Sequence, residues 1–243
     1  MSFVRELDEN TSGRDFVVGD IHGEYTQLMK ALDNVCFDSG NDRLLATGDL
    51  IDRGEDSLKC LSLTREPWFF SIWGNHEDLM AKALLAGPGT FDFNLWLGNG
   101  GEWGKRYDLD TLRSTLEEAK AQMPLALDIA HGGCRIGIVH ADLPTDDWNC
   151  MQDPVWVQAK REELLWSRRN ILMAARHLNC RAPLFVRNLY ALFLGHTPVR
   201  DPIRLANRCY IDTGAVLPEG KLTLLDLSSF KLEDIESSPP SFF

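Results

Sequence analysis

Three apolar runs in the first third of the chain each end in a glycine followed at once by a side chain able to hold a cation or a phosphate. Phe16-Val17-Val18 runs into Gly19-Asp20, Leu44-Leu45-Ala46 into Gly48-Asp49, and Trp68–Trp73 into Gly74-Asn75. Helical patterns lie between them. Leu28, Met29, Leu32 and Val35 share one face at 3.6-residue spacing, a second helix is predicted around Ser57–Thr64, and a third runs from about Glu77 to Leu85. Short strands alternating with helices specify α/β construction. In open sheets of that kind, ligands bind where several strands end at their carboxyl termini.

The rest of the chain adds elements to this frame. Gly87–Gly104, rich in Gly, Asn and Trp, reads as a loop or insertion over one face. Asp110 to Gln122 has helical composition, with Asp108 or Asp110 as its cap. Leu125–Ala130 and Arg135–Val139 form a hairpin through His131-Gly132-Gly133. Pro154 to Asn170 reads as helical, and Leu189–Leu194 as a strand ending at Gly195-His196. Ile203–Ala206, Arg208–Asp212 and Leu222–Leu227 read as the antiparallel finish of a second sheet. Residues 228–243 are expected to fray. With no internal repeat and no linker, a single domain over residues 1–243 is expected.

Charge and cysteine usage narrow the function. The formal net charge is -11, a field that disfavours a nucleic-acid partner, although two bound divalent ions would offset about four charges. No apolar run is long enough to span a bilayer, and Met1 to Asn10 carries acidic residues where a secretory signal would need an apolar centre, so a cytoplasmic location and no membrane partner are expected. The six cysteines are scattered with no C-x-x-C pair, which reads as reduced thiols rather than a zinc ribbon.

Three clusters carry the chemistry: Gly19-Asp20-Ile21-His22-Gly23, Gly48-Asp49-Leu50-Ile51-Asp52-Arg53-Gly54 and Gly74-Asn75-His76-Glu77. Downstream, Val139-His140-Ala141-Asp142 and Gly195-His196-Thr197-Pro198 repeat the pattern of a strand end followed by histidine. The donors are oxygen and nitrogen without thiolate, a set suited to Mn, Fe or Zn. Two neighbouring cations need a shared anionic ligand, and Asp49 at a central strand end is the natural bridge. Such a pair, about 3.5–4 Å apart, acidifies a water and stabilises charge on a phosphate, so no serine or cysteine nucleophile is required. His76, beside Asn75, is placed to protonate a leaving alkoxide, and Asp52 to orient that imidazole. Arg53 can fork onto two phosphate oxygens.

These motifs together resemble the PPP-type serine/threonine protein phosphatases. His140-Ala141-Asp142-Leu143-Pro144 and Trp96-Leu97-Gly98-Asn99-Gly100-Gly101-Glu102-Trp103 are most similar to the small bacterial and phage branch, which includes lambda phosphatase and the Prp phosphatases. The resemblance covers about Phe16 to Leu227. It implies a metallophosphoesterase (calcineurin-like) fold, a four-layer αββα sandwich with two mixed sheets. It implies that Asp20 and His22 bind a first metal, that Asp49 bridges, and that Asn75, His140 and His196 complete a second. Arg53 and Arg168 would hold the phosphate, with Arg169 as the alternative to Arg168, and His76 with Asp52 would be the proton-donating pair. The branch works with two divalent ions, commonly manganese, on phosphoserine and phosphothreonine of phosphoproteins and in some members on phosphotyrosine. One departure stands out: the larger eukaryotic enzymes carry His-Gly-Gly at the second-metal histidine. The literal match here, His131-Gly132-Gly133, lies in the hairpin turn, whereas His140 closes an apolar strand as the other donors do.

Each motif alone is weak, since Gly-Asp at a strand end is common turn chemistry. Five in the family's order outweigh coincidence. His131 and His177 default to structural roles, the tryptophans to packing, Asp142 and Asp212 to turn or supporting roles, and Glu77 to a helix start, where a carboxylate suits the dipole. Two rival readings remain at this stage. A dinucleoside-polyphosphate hydrolase shares the first and third motifs but lacks an aspartate at the Asp52 position and ends its third motif in Asp. A non-catalytic phosphate-binding protein on the same fold should have lost a donor or the His76–Asp52 pair, and neither is missing.

Overall fold

The computed structural model describes residues 3–176 and 184–243. The chain opens with β1 (Val4–Leu7) and β2 (Asp15–Val18), followed by α1 (Tyr25–Asn34), β3 (Arg43–Ala46), α2 (Ser57–Ser62), β4 (Phe69–Ser71) and α3 (Asn75–Ala86). Next come α4 (Phe91–Gly98), α5 (Leu109–Gln122), β5 (Ala126–His131) and β6 (Cys134–Val139). Three short helices follow, α6 (Pro154–Ala159), α7 (Arg161–Trp166) and α8 (Arg169–Ala175), then β7 (Ala191–Leu194), β8 (Ile203–Leu205), β9 (Arg208–Tyr210) and β10 (Leu224–Asp226).

The strands form a four-stranded sheet in the order β10-β2-β3-β4 and a six-stranded sheet in the order β1-β5-β6-β7-β9-β8. Both are mixed. In the smaller, β2, β3 and β4 run parallel and β10 antiparallel to β2. In the larger, β5–β6 and β8–β9 are antiparallel, and β1–β5, β6–β7 and β7–β9 parallel.

Strand periodicity explains the stacking. Val17 and Leu45 join Leu127, Ile129, Ile136, Ile138, Ala191 and Phe193 in one buried cluster between the sheets. Their neighbours Phe16, Val18, Leu44 and Ala46, with Ala126, Leu192 and Leu194, belong instead to the cluster that includes the helices. Alternate residues of each strand thus face opposite layers, as the period of two requires, and the result is the expected α/β sandwich. On α1, Leu28 and Leu32 sit one turn apart and fully enclosed, each contributing roughly 1.5–3 kcal/mol. Asp108, rather than Asp110, caps α5 by accepting from the Thr111 N–H at 2.8 Å.

Several expectations need correcting. Gly87–Gly104 is not a loop: Thr90 caps α4 through its Oγ1, and a 3-10 turn spans Gly101–Arg106. Pro154 to Asn170 is helical as expected, but in separate pieces. Lys160 leaves helical geometry, Ser167 is extended, and the Leu164 carbonyl accepts from the Ala141 N–H instead of continuing the ladder. Leu222–Leu227 does not join the sheet of β8 and β9; β10 covers the edge of β2 in the smaller sheet. Val4–Leu7, unnoticed in the sequence, pairs with β5. The final segment lies along the molecule rather than fraying, because Ile235 is buried and the Arg204 and Arg200 N–H groups donate to Glu236 and Ser241 carbonyls. His177 lies outside the described residues. The described cysteines are free thiols, and no helix among the described residues is long and apolar enough to cross a membrane.

Candidate active site

The strand ends converge as the sequence requires, at a price in backbone conformation. Of the eight non-glycine residues with positive φ among the described residues, five are His22, Asp49, Asp52, Arg53 and His196. Each such residue costs roughly 1–3 kcal/mol and persists only where its surroundings fix it.

Those surroundings can be named. Glu77, in the first turn of α3, accepts from the N–H groups of Gly74 (2.9 Å), Asp49 (3.1 Å) and Leu50 (2.8 Å). One buried carboxylate therefore ties the third motif to the second. Burial and the nearby Asp49 charge push it up to about 7. At the other end, Asp20 accepts from Thr47 Oγ1 and from the His196 N–H, both at 2.8 Å. Gly195 packs so tightly on the Asp20 carboxylate that a Cβ there would overlap it.

Asp49 occupies the centre. Its Oδ2 faces His22 Nε2 at 3.7 Å and His76 Nε2 at 3.9 Å, while Oδ1 faces His140 Nε2 at 3.4 Å and accepts from the His76 N–H at 3.0 Å. Two groups of donor atoms share it: His22, Asp49 and His76, and Asp49, His140 and His196. Asn75 joins the second through Oδ1, 2.8 Å from His140 Nε2 and 2.7 Å from His196 Nδ1. Asp20 stands outside both groups, and His76, expected as the proton donor, falls inside the first.

The donor set fits divalent ions. His22 and His140 each give Nδ1–H to a main-chain carbonyl (Ile51, 2.9 Å; Thr47, 2.8 Å), and His196 gives Nε2–H to Trp166 O at 3.2 Å. This fixes the rings and turns the opposite nitrogen of each inward, the arrangement that metal-binding imidazoles adopt. Those nitrogens, Asn75 Oδ1 and the Asp49 carboxylate crowd together as acceptors that a cation reconciles. On His140 a proton meets that demand: burial opposes it, but the Asp49 charge and hydrogen bond lift the imidazole to about 10. Burial, with Arg53 and His76 nearby, pushes His22 down to about 3, against the pull of Asp49.

His76 differs in its partner. Its Nδ1 donates to a carboxylate, Asp52 Oδ2, at 2.8 Å. Burial opposes the imidazolium, yet Asp49 and Asp52 raise it above its ordinary value. The Arg53 guanidinium reaches across the mouth of the site, donating to His22 Nε2 at 2.8 Å and to His76 Nε2 at 3.0 Å. Arg168 enters from the α7–α8 turn and donates to the His196 carbonyl at 3.2 Å. Arg169 instead lines a separate cavity with Asp142, Asn170 and Arg208.

Asp142 and Asp212 take the turn roles expected of them, whereas Arg208, Trp96 and Trp103 were not legible as contributors in the sequence. Asp142 accepts from Ser167 Oγ, Asn170 N–H and Asn170 Nδ2, so the residue two beyond His140 shapes the turn that carries Arg168. The buried Arg208 braces the same region through the carbonyls of Leu143, Thr145 and Leu184. Trp96 and Trp103 both donate to Asp52 Oδ1. Asp212 accepts from the Gly214 N–H, and burial first, then the Asp49 charge, pushes its carboxyl to about 6.

Comparison with known proteins identifies the family. Residues 16–214 match the calcineurin-like phosphoesterase family. Over 213 residues, 86% of this chain and 89% of the relative, the sequence is 37% identical to serine/threonine-protein phosphatase 1 of Salmonella typhimurium. It is 33% identical to serine/threonine-protein phosphatase 2 of the same organism, over 88% of this chain and 94% of the relative. Among solved structures, a protein serine/threonine phosphatase from Saccharomyces cerevisiae superposes with a TM-score of 0.56 at 18% identity, covering 95% of this chain and 85% of that one, a likeness of fold. The chain therefore belongs to the calcineurin-like phosphoesterase family, in the branch of PPP-type bacterial serine/threonine protein phosphatases.

Proposed function

We propose that this protein is a metal-dependent protein phosphatase that hydrolyses phosphoserine and phosphothreonine monoesters, with phosphotyrosine as a further substrate. The observation that carries the reading is the buried Asp52–His76 pair beside Asp49, with two arginines, Arg53 and Arg168, at the same opening. Serine/threonine-protein phosphatases 1 and 2 of Salmonella typhimurium match by sequence over most of their length, which favours a protein phosphatase over the dinucleoside-polyphosphate hydrolase and binding-protein alternatives.

Asp20, His22 and Asp49 would hold one divalent ion, and Asp49, Asn75, His140 and His196 the other, manganese being the proposed metal with iron or zinc as alternatives. When bound, the two ions supply Lewis-acid stabilisation of the phosphate and a more acidic water. The chain's own residues do the rest. Arg53 and Arg168 bind phosphate oxygens, Arg53 turning from its imidazole partners as the anion enters. His76 Nε2 carries the proton that the departing serine or threonine oxygen needs, and Asp52 fixes the ring through Nδ1. The phosphoryl group passes directly to water, without a covalent enzyme intermediate. A cytoplasmic phosphoprotein is the proposed partner, and the acidic chain makes a nucleic acid a poor one.

The test is a panel of phosphoserine, phosphothreonine and phosphotyrosine peptides together with diadenosine tetraphosphate, run with manganese, iron and zinc in turn. Turnover of the phosphopeptides with metal is the expected result. Preference for the dinucleotide, or inertness with every metal, would overturn the reading.

A further inference from the structure

Asp52 receives more than its histidine. Trp103 Nε1 donates to its Oδ1 at 2.7 Å and Trp96 Nε1 to the same oxygen at 3.0 Å, while His76 holds Oδ2. Asp52 and Trp96 are shut from water and Trp103 nearly so. The two indoles stand edge to face at 89° with centroids 6.0 Å apart, so their N–H groups approach from different directions. Donors on both oxygens block rotation of the carboxylate, and the oxygen facing His76 is then the only one available to it.

The segment that carries these indoles is built around them. A side chain at Gly101 or Gly104 would collide with the Trp96 ring. The Gly100 carbonyl accepts from the Arg53 N–H at 3.0 Å, so residues 96–104 grip both the Asp52 side chain and the main chain of the next residue. Packing alone would be satisfied by phenylalanine at either position. Two buried indole donors converging on one oxygen of one carboxylate are not.

We propose that Trp96 and Trp103 are positioning residues for the reaction: they lock the Asp52 carboxylate so that it keeps His76 aimed at the leaving oxygen. The proposal rests on the phosphatase reading above. A reacting group must be held within about 0.5 Å and 10–20° of its productive geometry, and that precision comes from the residues behind it.

The role predicts a leaving-group signature. A phosphoserine peptide releases an alkoxide that needs a proton, whereas p-nitrophenyl phosphate releases a stable phenolate that does not. Trp103→Phe and Trp96→Phe keep the ring and delete the N–H. Each is expected to lower kcat on the peptide by about tenfold, a fraction of the 10²–10⁴ that acid catalysis provides, with KM within about twofold and a much smaller loss on the aryl phosphate. Asp52→Asn should show the same bias more strongly. Trp68→Phe, in an aromatic cluster with Phe37 and Phe69, should show none. The ratio of the two rates in one preparation is independent of how much protein is folded. Indole N–H resonances offer a reading without touching either tryptophan: two should shift in Asp52→Asn. Equal losses on both substrates, changes confined to KM, or unmoved indole resonances would overturn the proposal. Wild-type protein inert on both substrates would overturn the phosphatase reading instead.

Discussion

His76 is held from one side and directed from the other: Nδ1 donates to Asp52 at 2.8 Å, while Nε2 looks toward the Asp49 carboxylate at 3.9 Å. An imidazole so placed can deliver a proton without leaving its position. His76→Ala is expected to cost about 10²–10⁴-fold in kcat on a phosphopeptide while the protein still takes up two ions, measured by elemental analysis after gel filtration. Full activity in the metal-loaded variant would refute the proton-donor role.

Asp49 is the one carboxylate common to both donor groups. Its removal leaves the imidazoles and the Asn75 amide without the anion the two groups share, and Asp20 stands outside both groups. Asp49→Ala should therefore bind no ion at stoichiometric manganese in titration calorimetry, and lose turnover with it. Two ions per chain in that variant would show that the bridge lies elsewhere.

The paired arginines at the α7–α8 turn separate cleanly by their contacts. Arg168 reaches His196, whereas Arg169 points into another cavity. Steady-state kinetics on one phosphopeptide should give Arg168→Ala a roughly tenfold or larger fall in kcat/KM, the loss of one charged hydrogen bond of about 1.5–3 kcal/mol. Arg169→Ala should stay within about twofold of wild type. The reverse ranking would reassign the phosphate contact.

Away from the site, Asp78 joins α3 to α7 by pairing with Arg161, and Lys82 adds a second contact. Burial opposes its charge, but the hydrogen bonds and charges of Arg161 and Lys82 hold the carboxyl below its ordinary value. The folded form thus binds its proton less readily than the unfolded chain does. The pair's contribution is complete above the ordinary carboxylate range of about 3.9 and disappears as pH falls through the depressed folded value. Asp78→Asn should destabilise the protein by about 1–3 kcal/mol at pH 7, and by progressively less toward pH 3. Urea midpoints at both pH values measure this; a constant difference would contradict it.

Much of this architecture could be read from residue order because local physics dictated it. Phe16–Val18, Leu44–Ala46 and the run around Phe69 are apolar enough to be central strands whatever surrounds them, and donors placed directly after them have to gather at one edge. What escaped reading depended on distant partners. Glu77 looked like a helix-start carboxylate, and it is one, but its bonds to Asp49 and Leu50 cross from another motif. The glycines of Gly87–Gly104 signalled a loop; Gly101 and Gly104 are there because the Trp96 ring presses on the backbone, and Phe93, Trp96 and Leu97 make the inward face of a real helix. Leu224–Asp226 could pair with either sheet by composition, and only the open edge of β2 decided it.

The tie between Asp20 and the His196 N–H links residues 176 positions apart, one at the end of a strand in the smaller sheet and the other in the larger. The centre is therefore a seam rather than a pocket carved into one layer, with Asp20, Asp49 and Asn75 on one bank and His140 and His196 on the other. A slip of either layer that left every helix and strand intact would still pull the two banks out of alignment. Loosening at Val17 or Phe193, buried between the layers, would silence the enzyme before it unravelled it.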